Sequence, residues 1–277
     1  MCIRDSFNPS EAVNLRVSYA GGYRAPQAFD EDMHIAVVGG KRVRIRLADD
    51  LKEERSHSVS LSADLYHNFG RVQTNLLVEG FYTILDDVFA LRDLEDTDDG
   101  GKIKERYNGS GAAVRGFNVE GRAIFTRWFE LQAGVTLQQS RYKEPEQWSE
   151  DADVPPVRRM FRTPDAYGYF TASFKPVRNF TADLTGTCTG SMLVQHMAGS
   201  GVAQDAAVST PSFFDMNVRL SYDLRIYKEI TLQLYGGVQN LFNAYQKDFD
   251  KGADRDSGYI YGPSLPRSWF VGAKFSF

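Results

Sequence analysis

The sequence predicts an all-β fold in which about ten long antiparallel strands cross a membrane as part of a β-barrel. Apolar and polar residues alternate along segments of roughly 9–15 residues, the length that crosses a bilayer at a tilt. Soluble strands are mostly about 5–6 residues long. Short turns also alternate with long connections along the chain. Because successive strand side chains point to opposite faces, each segment has one apolar and one polar face.

The last eleven residues show the pattern most clearly. The strand ends on an aromatic residue with no tail after it, and one of its faces is wholly apolar. That face is formed by Trp269, Val271, Ala273, Phe275 and Phe277.

Earlier segments repeat the same alternation, in chain order. Their apolar faces are formed by Val13, Leu15, Val17 and Tyr19; Val59, Leu61, Ala63 and Leu65; Val72, Leu76, Val78, Tyr82 and Ile84; Phe117, Val119, Ala123 and Phe125; Leu131, Ala133, Val135 and Leu137; Phe170, Ala172 and Phe174; Phe180, Ala182 and Leu184; Phe214, Met216, Val218, Leu220, Tyr222 and Leu224; and Ile230, Leu232 and Leu234. The opposite faces carry charges that lipid does not accept, so we expect them to line a wet lumen. The charged residues are Arg16, Asp64, Glu79, Glu120, Arg122, Asp183, Asp215 and Arg219.

The connections differ systematically in length. Short turns are predicted near 68–71, 126–129, 175–179 and 225–229, and long connections span about 21–55, 88–110, 141–164, 188–211 and 244–266. A strict short–long alternation places all short turns at one rim, as in transmembrane barrels with short periplasmic turns and long extracellular loops. A Greek-key sandwich would scatter its loop lengths.

Composition excludes several other classes. A net charge of -4 gives no reason to expect nucleic acid as a partner. The sequence contains no run of 18 apolar residues, so it predicts no membrane helix. No disulfide is expected between Cys2 and Cys188, and the four histidines lack the spacing of metal ligands. The acidic runs 93–100 and 248–256 are predicted to be solvated loops; a calcium-binding loop is the alternative, although 93–100 does not fit the EF-hand template. We therefore predict no cofactor and no metal site.

Several motifs then resemble one family, the TonB-dependent outer-membrane receptors. Gly22, Tyr23, Arg24, Ala25 and Pro26 resemble the family's Gly-Phe-Arg-Ala-Pro signature. Segment 50–56 resembles its Leu-Lys-Pro-Glu-Arg/Lys-Ser segment with a Glu in place of Pro, and segments 80–88, 116–121 and 162–164 are similar to further strand motifs. Asn240, Leu241 and Phe242 lie in a segment, 238–245, that is similar to the family's Val-x-Asn-Leu-Phe-Asp-x-x-Tyr. Phe277 resembles the family's terminal aromatic residue, and together these motifs cover about residues 10–277.

The resemblance implies a barrel of about 22 strands with a plug domain in its lumen. We expect residues 10–277 to be the carboxy-terminal part of such a barrel, and residues 1–9 to be a non-native or disordered leader. On this interpretation the chain is a fragment that lacks the plug, the TonB box, about twelve strands and a signal peptide.

The function that the resemblance implies is active uptake of a scarce ligand, such as a ferric siderophore, haem or cobalamin, across the bacterial outer membrane. The implied partners are the TonB–ExbB–ExbD complex, acting through the plug and TonB box; the barrel-assembly machinery, reading Phe277; outer-membrane lipid and lipopolysaccharide; and the small-molecule ligand. No covalent chemistry is implied, so the chain is predicted not to be an enzyme and to have no catalytic residues.

Ligand contacts are expected from aromatic and charged residues of the long loops, since an arginine cluster suits an anionic siderophore. The alternative is that these are solvated loop residues or contacts to lipopolysaccharide phosphates. The candidates are Arg24, Phe29, Arg42, Arg44, Trp148, Arg158, Arg159, His196, Tyr259 and Tyr261. Trp128 and Trp269 suit interfacial girdle positions, with ordinary packing as the alternative.

Two other classes of protein remain open at this point. One is a complete ten-stranded outer-membrane barrel, either an enzyme or a porin, since an even number of strands allows closure. The enzyme form is disfavoured because the sequence has no G-x-S-x-G motif. The other is a soluble β-sandwich binding domain, which long strands with charged faces disfavour.

Overall fold

The protein is described by a computed structural model of residues 1–27, 43–96, 102–149, 151–199, 201–227, 230–252, 255–256, 258–263 and 265–277. The described residues form strands, turns and loops, and no helix among them is long and apolar enough to span a membrane. The predicted all-β class is confirmed.

Eleven long strands build the main sheet. They are β1 (Cys2–Ser10), β2 (Val13–Arg24), β4 (Glu54–Phe69), β5 (Val72–Asp86), β8 (Ala112–Thr126), β9 (Phe129–Glu146), β11 (Ala166–Phe174), β12 (Phe180–Thr189), β15 (Phe213–Tyr227), β16 (Ile230–Gln239) and β17 (Ser268–Ser276). They pair in that order, each antiparallel to the next. β1 and β17 lie at the two ends of this order, and the described pairings do not connect them.

Shorter strands decorate the long loops. The first long loop carries β3 (Val43–Leu47), and the second carries β6 (Phe89–Asp96) and β7 (Lys102–Asn108). These three form one small sheet in the order β3-β7-β6, so the two loops are joined. β10 (Val157–Arg159) pairs with β9, and β13 (Leu193–His196) pairs with β14 (Ala206–Ser209).

The register of the main sheet gathers the alternating apolar residues onto one face. Val78 pairs with Val119, and Val119 pairs in turn with Val135, so these side chains lie side by side across three strands. All three are exposed, as are Leu61 and Val271 on the same face. A continuous exposed apolar face on a long-stranded sheet is the surface that lipid covers, as the sequence predicts.

The opposite face carries the predicted polar side chains, which contact each other. Arg16 lies 3.7 Å from Asp64, and the side-chain amide of Asn75 donates a 2.5 Å hydrogen bond to the same carboxylate. Further along the sheet the Ser173 hydroxyl donates to Asp183 at 2.7 Å. These polar side chains lie on the face opposite the apolar one, where they pair with each other or accept hydrogen bonds.

The predicted alternation of connections is also confirmed. Tight turns join β4 to β5, β8 to β9 and β11 to β12, and long loops join the intervening pairs. Gly70 and Asn179 adopt positive φ angles of 63° and 70° in two of these turns, a conformation that glycine and asparagine tolerate best. All long loops therefore emerge at one rim, opposite the short turns.

The structure differs from the sequence prediction at the amino-terminus. Residues 1–9, predicted to be a non-native or disordered leader, supply most of β1, which pairs with β2 from Cys2↔Ala20 to Ser10↔Val13. Residues 2–9 are thus part of a strand, because the outer edge of β2 offers backbone donors and acceptors that pair with this segment. The assignment of residues 1–9 to a leader stays a prediction. The division of the chain into domains stays a prediction.

Replacement of an outward side chain should show which face meets lipid. We expect Val119→Arg to destabilise the folded barrel by about 2–4 kcal/mol, the cost of an arginine near the middle of the lipid face. The neighbouring Glu120→Arg should cost clearly less, because that position faces the lumen and already carries a charge. Denaturant midpoints of the two variants in outer membranes measure the difference, and equal midpoints would contradict the assignment of faces.

Candidate functional site

Three long loops contact one another above the sheet: the third between β9 and β11, the fourth between β12 and β15, and the fifth between β16 and β17. Arg162 of the third loop bonds to both of the others. Its backbone N–H donates to the Leu193 carbonyl at 2.7 Å, linking the third loop to the fourth. Its guanidinium donates to the carbonyl of Ile260 at 2.8 Å and to that of Gly258, linking the third loop to the fifth. The Arg-Thr-Pro motif therefore has a structural role in positioning the loops.

A buried histidine joins the fourth loop to the fifth. The His196 ring stacks on the Tyr259 ring with centroids 3.7 Å apart and an interplanar angle of 6°. Its Nε2 lies 3.0 Å from both carboxylate oxygens of Asp250. The side chains of His196 and Asp250 are only 8% and 4% exposed. The expectation of a solvated acidic loop is therefore wrong for Asp250, since the loops enclose this carboxylate and pair it with His196.

Asp248 accepts hydrogen bonds from two tyrosines of the same loop. The Tyr261 hydroxyl donates to it at 2.7 Å and the Tyr259 hydroxyl at 3.0 Å. Burial tends to raise the pKa of Asp248, but the hydrogen bonds from Tyr261 and Tyr259 together hold that pKa below its usual value. Burial and the bond to Asp248 raise the pKa of Tyr261. Both groups therefore keep their hydrogen-bonding forms at neutral pH.

A cavity of about 390 Å³ lies between the second, third and fourth loops. Aromatic side chains form much of its wall, including Phe89, Tyr142, Trp148 and Phe161. Trp148 and Phe161 pack edge to face with centroids 5.3 Å apart. The cavity lies at the rim that carries the long loops.

Two polar groups line this cavity, the Glu146 carboxyl and the Trp148 indole N–H. Burial raises the pKa of the Glu146 carboxyl, which lines the cavity. The indole N–H of Trp148 is buried and has no hydrogen-bond partner among the residues that the structure describes. Since a buried donor without a partner is costly, an acceptor on a bound molecule would stabilise this site.

The structure brings five of the predicted site residues into the loop assembly described above. Trp148 lines the cavity, whereas His196, Tyr259 and Tyr261 are buried beneath the surface of the loops. Arg159 donates to the Ser191 carbonyl at 2.7 Å and pairs with Asp165 at 3.0 Å, so it also ties loops together.

The remaining candidates lie elsewhere. Arg158 is exposed beside Glu144, and Arg24 lies 3.5 Å from Glu54 and above the Phe89 ring. The backbone of Arg44 belongs to β3, while Phe29 and Arg42 lie outside the described residues. None of these contacts shows a ligand, so the role of each candidate stays a prediction.

The Asn240 motif has a clear structural basis. Asn240 is buried with a φ of 49°, and its side chain accepts a hydrogen bond from the Ala244 N–H at 2.7 Å. The same side chain donates to the Leu265 carbonyl at 2.9 Å, which closes both ends of the fifth loop. Leu241 and Phe242 continue this turn, and the Phe242 ring stacks on Phe214. The other motif residues are surface positions: Gly22 and Tyr23 end β2 before Ala25 and Pro26, and Phe277 is fully exposed.

The sequence model of one family, "TonB dependent receptor-like, beta-barrel", matches residues 6–241. The chain belongs to this family. Members are receptors and transporters integral to the bacterial outer membrane, which agrees with the exposed apolar face and the loop-bearing rim. None of the curated proteins matches the chain.

Solved structures of TonB-dependent receptors share this fold. The ferric-catecholate import receptor Fiu from Escherichia coli K12 is 18% identical, with a TM-score of 0.64 over 98% of this chain and 34% of its own. The iron transporter FrpB from Neisseria meningitidis is 15% identical, with a TM-score of 0.63 over 98% and 38%. A mutant of the ferric enterobactin receptor PfeA from Pseudomonas aeruginosa is 16% identical, with a TM-score of 0.66 over 98% and 39%. The chain thus spans less than half the length of these structures.

Sequence reasoning missed several residues of the loop assembly. The sequence does not single out Glu146 as a site residue, because the Pro-Glu-Gln segment around it resembles ordinary loop sequence. The acidic run around Asp250 resembles a solvated loop in sequence. In the sequence Arg162 is distinguished only as part of a motif, whereas in the structure it adopts a positive φ of 57°. Among the described residues no group of three or more His, Cys, Asp or Glu side chains is arranged to hold a metal ion.

The hydroxyl of Tyr261 should control the acid stability of the fifth loop. Because the folded-state pKa of Asp248 is lowered, its bonds stabilise the loop above the ordinary aspartate pKa and are lost as the pH falls through the lowered value. We expect Tyr261→Phe to move this loss to higher pH and to weaken protection by roughly 1 kcal/mol. Amide hydrogen exchange of residues 246–261 measures it. The exposed Tyr23→Phe is the control, and identical acid profiles for the two variants would refute the role.

Glu146 should make the stability of the cavity depend on pH in the opposite direction to that of the fifth loop. Because burial raises the pKa of the Glu146 carboxyl, the folded protein favours its neutral form. The contribution of this group to stability is therefore present below the ordinary glutamate pKa and is lost as the pH rises through the raised value. We expect exchange protection of residues 142–149 to fall over that interval, and Glu146→Gln to abolish the fall. The exposed Glu144→Gln is the matched control; if it abolishes the fall equally, the assignment to Glu146 is wrong.

Proposed function

We propose that the protein takes up a scarce ligand from the cell exterior across the outer membrane, with TonB supplying the energy. The loop cavity of about 390 Å³ beside Trp148 is the observation that carries this proposal. It lies at the rim of the long loops, is lined by aromatic rings and holds an indole N–H that no described residue accepts from. Pockets of this composition bind small organic molecules, with a few polar groups setting orientation.

The ligand class that we propose is a metal chelate or a similar compound such as a ferric siderophore, haem or cobalamin. Relatives of known structure include a ferric-catecholate receptor and a ferric enterobactin receptor, which supports an iron chelate as the first compound to test. Arg24 and Arg158 are exposed cations at the same rim, suited to meet an anionic chelate before it reaches the cavity. Phe29, Arg42 and Arg44 are proposed to assist from the first long loop.

The proposed partners follow from the family. TonB with ExbB and ExbD would act through a plug and a TonB box, and the barrel-assembly machinery would read Phe277. Membrane lipid and lipopolysaccharide would surround the apolar wall. We propose no enzymatic reaction, because binding and translocation account for the features of the site.

Uptake in the bacterium that encodes the chain tests the proposed function. Cells with and without the gene are given ferric siderophores, haem or cobalamin carrying a radioactive label, each with and without a protonophore. We expect one of these ligands to enter only when the gene is present and the proton gradient is intact. Gene-dependent entry that survives the protonophore would indicate a passive porin, and no gene-dependent entry of any ligand would contradict uptake of these classes.

Trp148 provides the residue-level test. We expect Trp148→Ala to weaken ligand binding to whole cells by roughly tenfold, because it removes aromatic contact and a hydrogen-bond donor together. Trp128→Ala is the matched control, since Trp128 lies in the short turn after β8 at the opposite rim. Equal binding by both variants would place the ligand outside the cavity.

A further inference from the structure

The outer wall of the sheet contains a second recess, a groove of about 640 Å³ across β4, β5, β8 and β9. Its floor is apolar and includes Val59, Leu61, Phe117 and Leu137, all of which are exposed. The register places Leu61 opposite Gly80, Gly80 opposite Phe117, and Phe117 opposite Leu137. These side chains therefore share the lipid-facing side and not the lumen.

Gly80 creates the depth of this groove. It lies between two large apolar side chains, Leu61 and Phe117, and has no side chain of its own. A Cβ built at Gly80 would meet the Phe117 ring at 3.4 Å, which is close to ordinary van der Waals contact. A larger side chain at this position would occupy the recess, so the recess depends on glycine at residue 80.

A positive charge lies at the upper end of the groove. Arg115 is two residues from Phe117 along β8, about 7 Å nearer the long-loop rim at the usual strand rise, and it also lines the groove. Arg141 lies further toward that rim and pairs with Ala113 on the same face. Groove and cations therefore follow one another along the strands, with the charge nearer the long-loop rim than the apolar part.

The charge of Arg115 is not neutralised by a carboxylate. In the described part of the chain its side chain contacts the neutral amide of Gln139, at 2.7 Å and 3.2 Å, and no acid. Asp165 also lines the groove, but its carboxylate pairs with Arg159 at 3.0 Å. No described carboxylate therefore offsets the guanidinium of Arg115 beside the apolar recess.

A second groove on the same wall lacks this charge. It measures about 400 Å³ and lies across β15, β16 and β17, again beside a glycine, Gly236. Its lining contains Leu220, Trp269 and Val271 and no charged side chain. The combination of an apolar recess with an unneutralised guanidinium is therefore a property of the Gly80 groove and not of the whole wall.

We propose that the Gly80 groove binds one molecule of a phosphorylated, multiply acylated glucosamine lipid of the outer leaflet, the lipid portion of lipopolysaccharide. An acyl chain occupies the recess between Leu61 and Phe117. A phosphate accepts hydrogen bonds from Arg115, whose planar guanidinium suits phosphate oxygens. The site is separate from the loop cavity, because it faces lipid and not the lumen.

Binding of defined lipids to the full protein in detergent tests this proposal, with bound lipid counted by native mass spectrometry. The probes are the diphosphorylated, acylated glucosamine disaccharide of lipopolysaccharide, phosphatidylethanolamine and inorganic phosphate. We expect the disaccharide lipid to bind most tightly. Arg115→Gln should weaken it roughly tenfold by removing a charge-assisted hydrogen bond, and Gly80→Leu should weaken it similarly by filling the recess.

Two matched variants keep the test specific. Arg71→Gln removes an exposed arginine from the short turn at the opposite rim, and Gly121→Leu adds a side chain to the outer face of β8, where a Cβ has open space. Both should bind the lipid as the unmodified protein does. The proposal is overturned if Arg115→Gln and Arg71→Gln bind equally, if phosphatidylethanolamine binds as tightly, or if inorganic phosphate competes while Gly80→Leu has no effect. Ligand uptake by Arg115→Gln cells is expected to be unchanged, so failure here leaves the proposed transport function standing.

Discussion

The antiparallel backbone ladder is the constraint on which the whole molecule depends. In lipid every backbone N–H and C=O group must find a partner inside the protein, so strands survive only when each is paired along its length. The ladder runs through eleven strands from Cys2–Ser10 to Ser268–Ser276. A shift of one residue in any pair would send charges such as Asp64 toward lipid and valines such as Val119 toward the lumen. The alternating sequence and the register therefore enforce each other.

The same ladder brings the long loops together at one rim. Because each strand reverses direction, the long loops all emerge together, and residues far apart in the chain become neighbours. Arg162 reaches carbonyls of the fourth and fifth loops, and His196 pairs with Asp250 across them. These contacts hold the loops against one another, and the buried His196–Asp250 pair is stable because each partner is hydrogen-bonded. The cavity beside Trp148 is the space left between loops held in this way.

Aromatic and charged loop residues consequently divide into two groups. His196, Tyr259 and Tyr261 are enclosed and support the loop assembly, whereas Trp148 reaches a cavity. On the outer wall, Gly80 and Arg115 also have different roles: Gly80 leaves room for an apolar recess, and Arg115 places a charge at its edge. Residue type alone does not separate these roles, because a tyrosine or an arginine has the same chemistry whether it supports a loop or meets a ligand.

The sequence by itself determined the strands, the two faces and the alternation of turns and loops, because each of these follows from a period of two and from the positions of breaks in it. It also showed the family, through motifs such as Asn240-Leu241-Phe242. Tertiary structure alone decided which loop residues are buried, that Cys2–Ser10 pairs with β2, and that Glu146 and Trp148 share a cavity. The physical reason is distance along the chain: loop contacts join residues separated by tens of positions, and no local pattern encodes which of them meet.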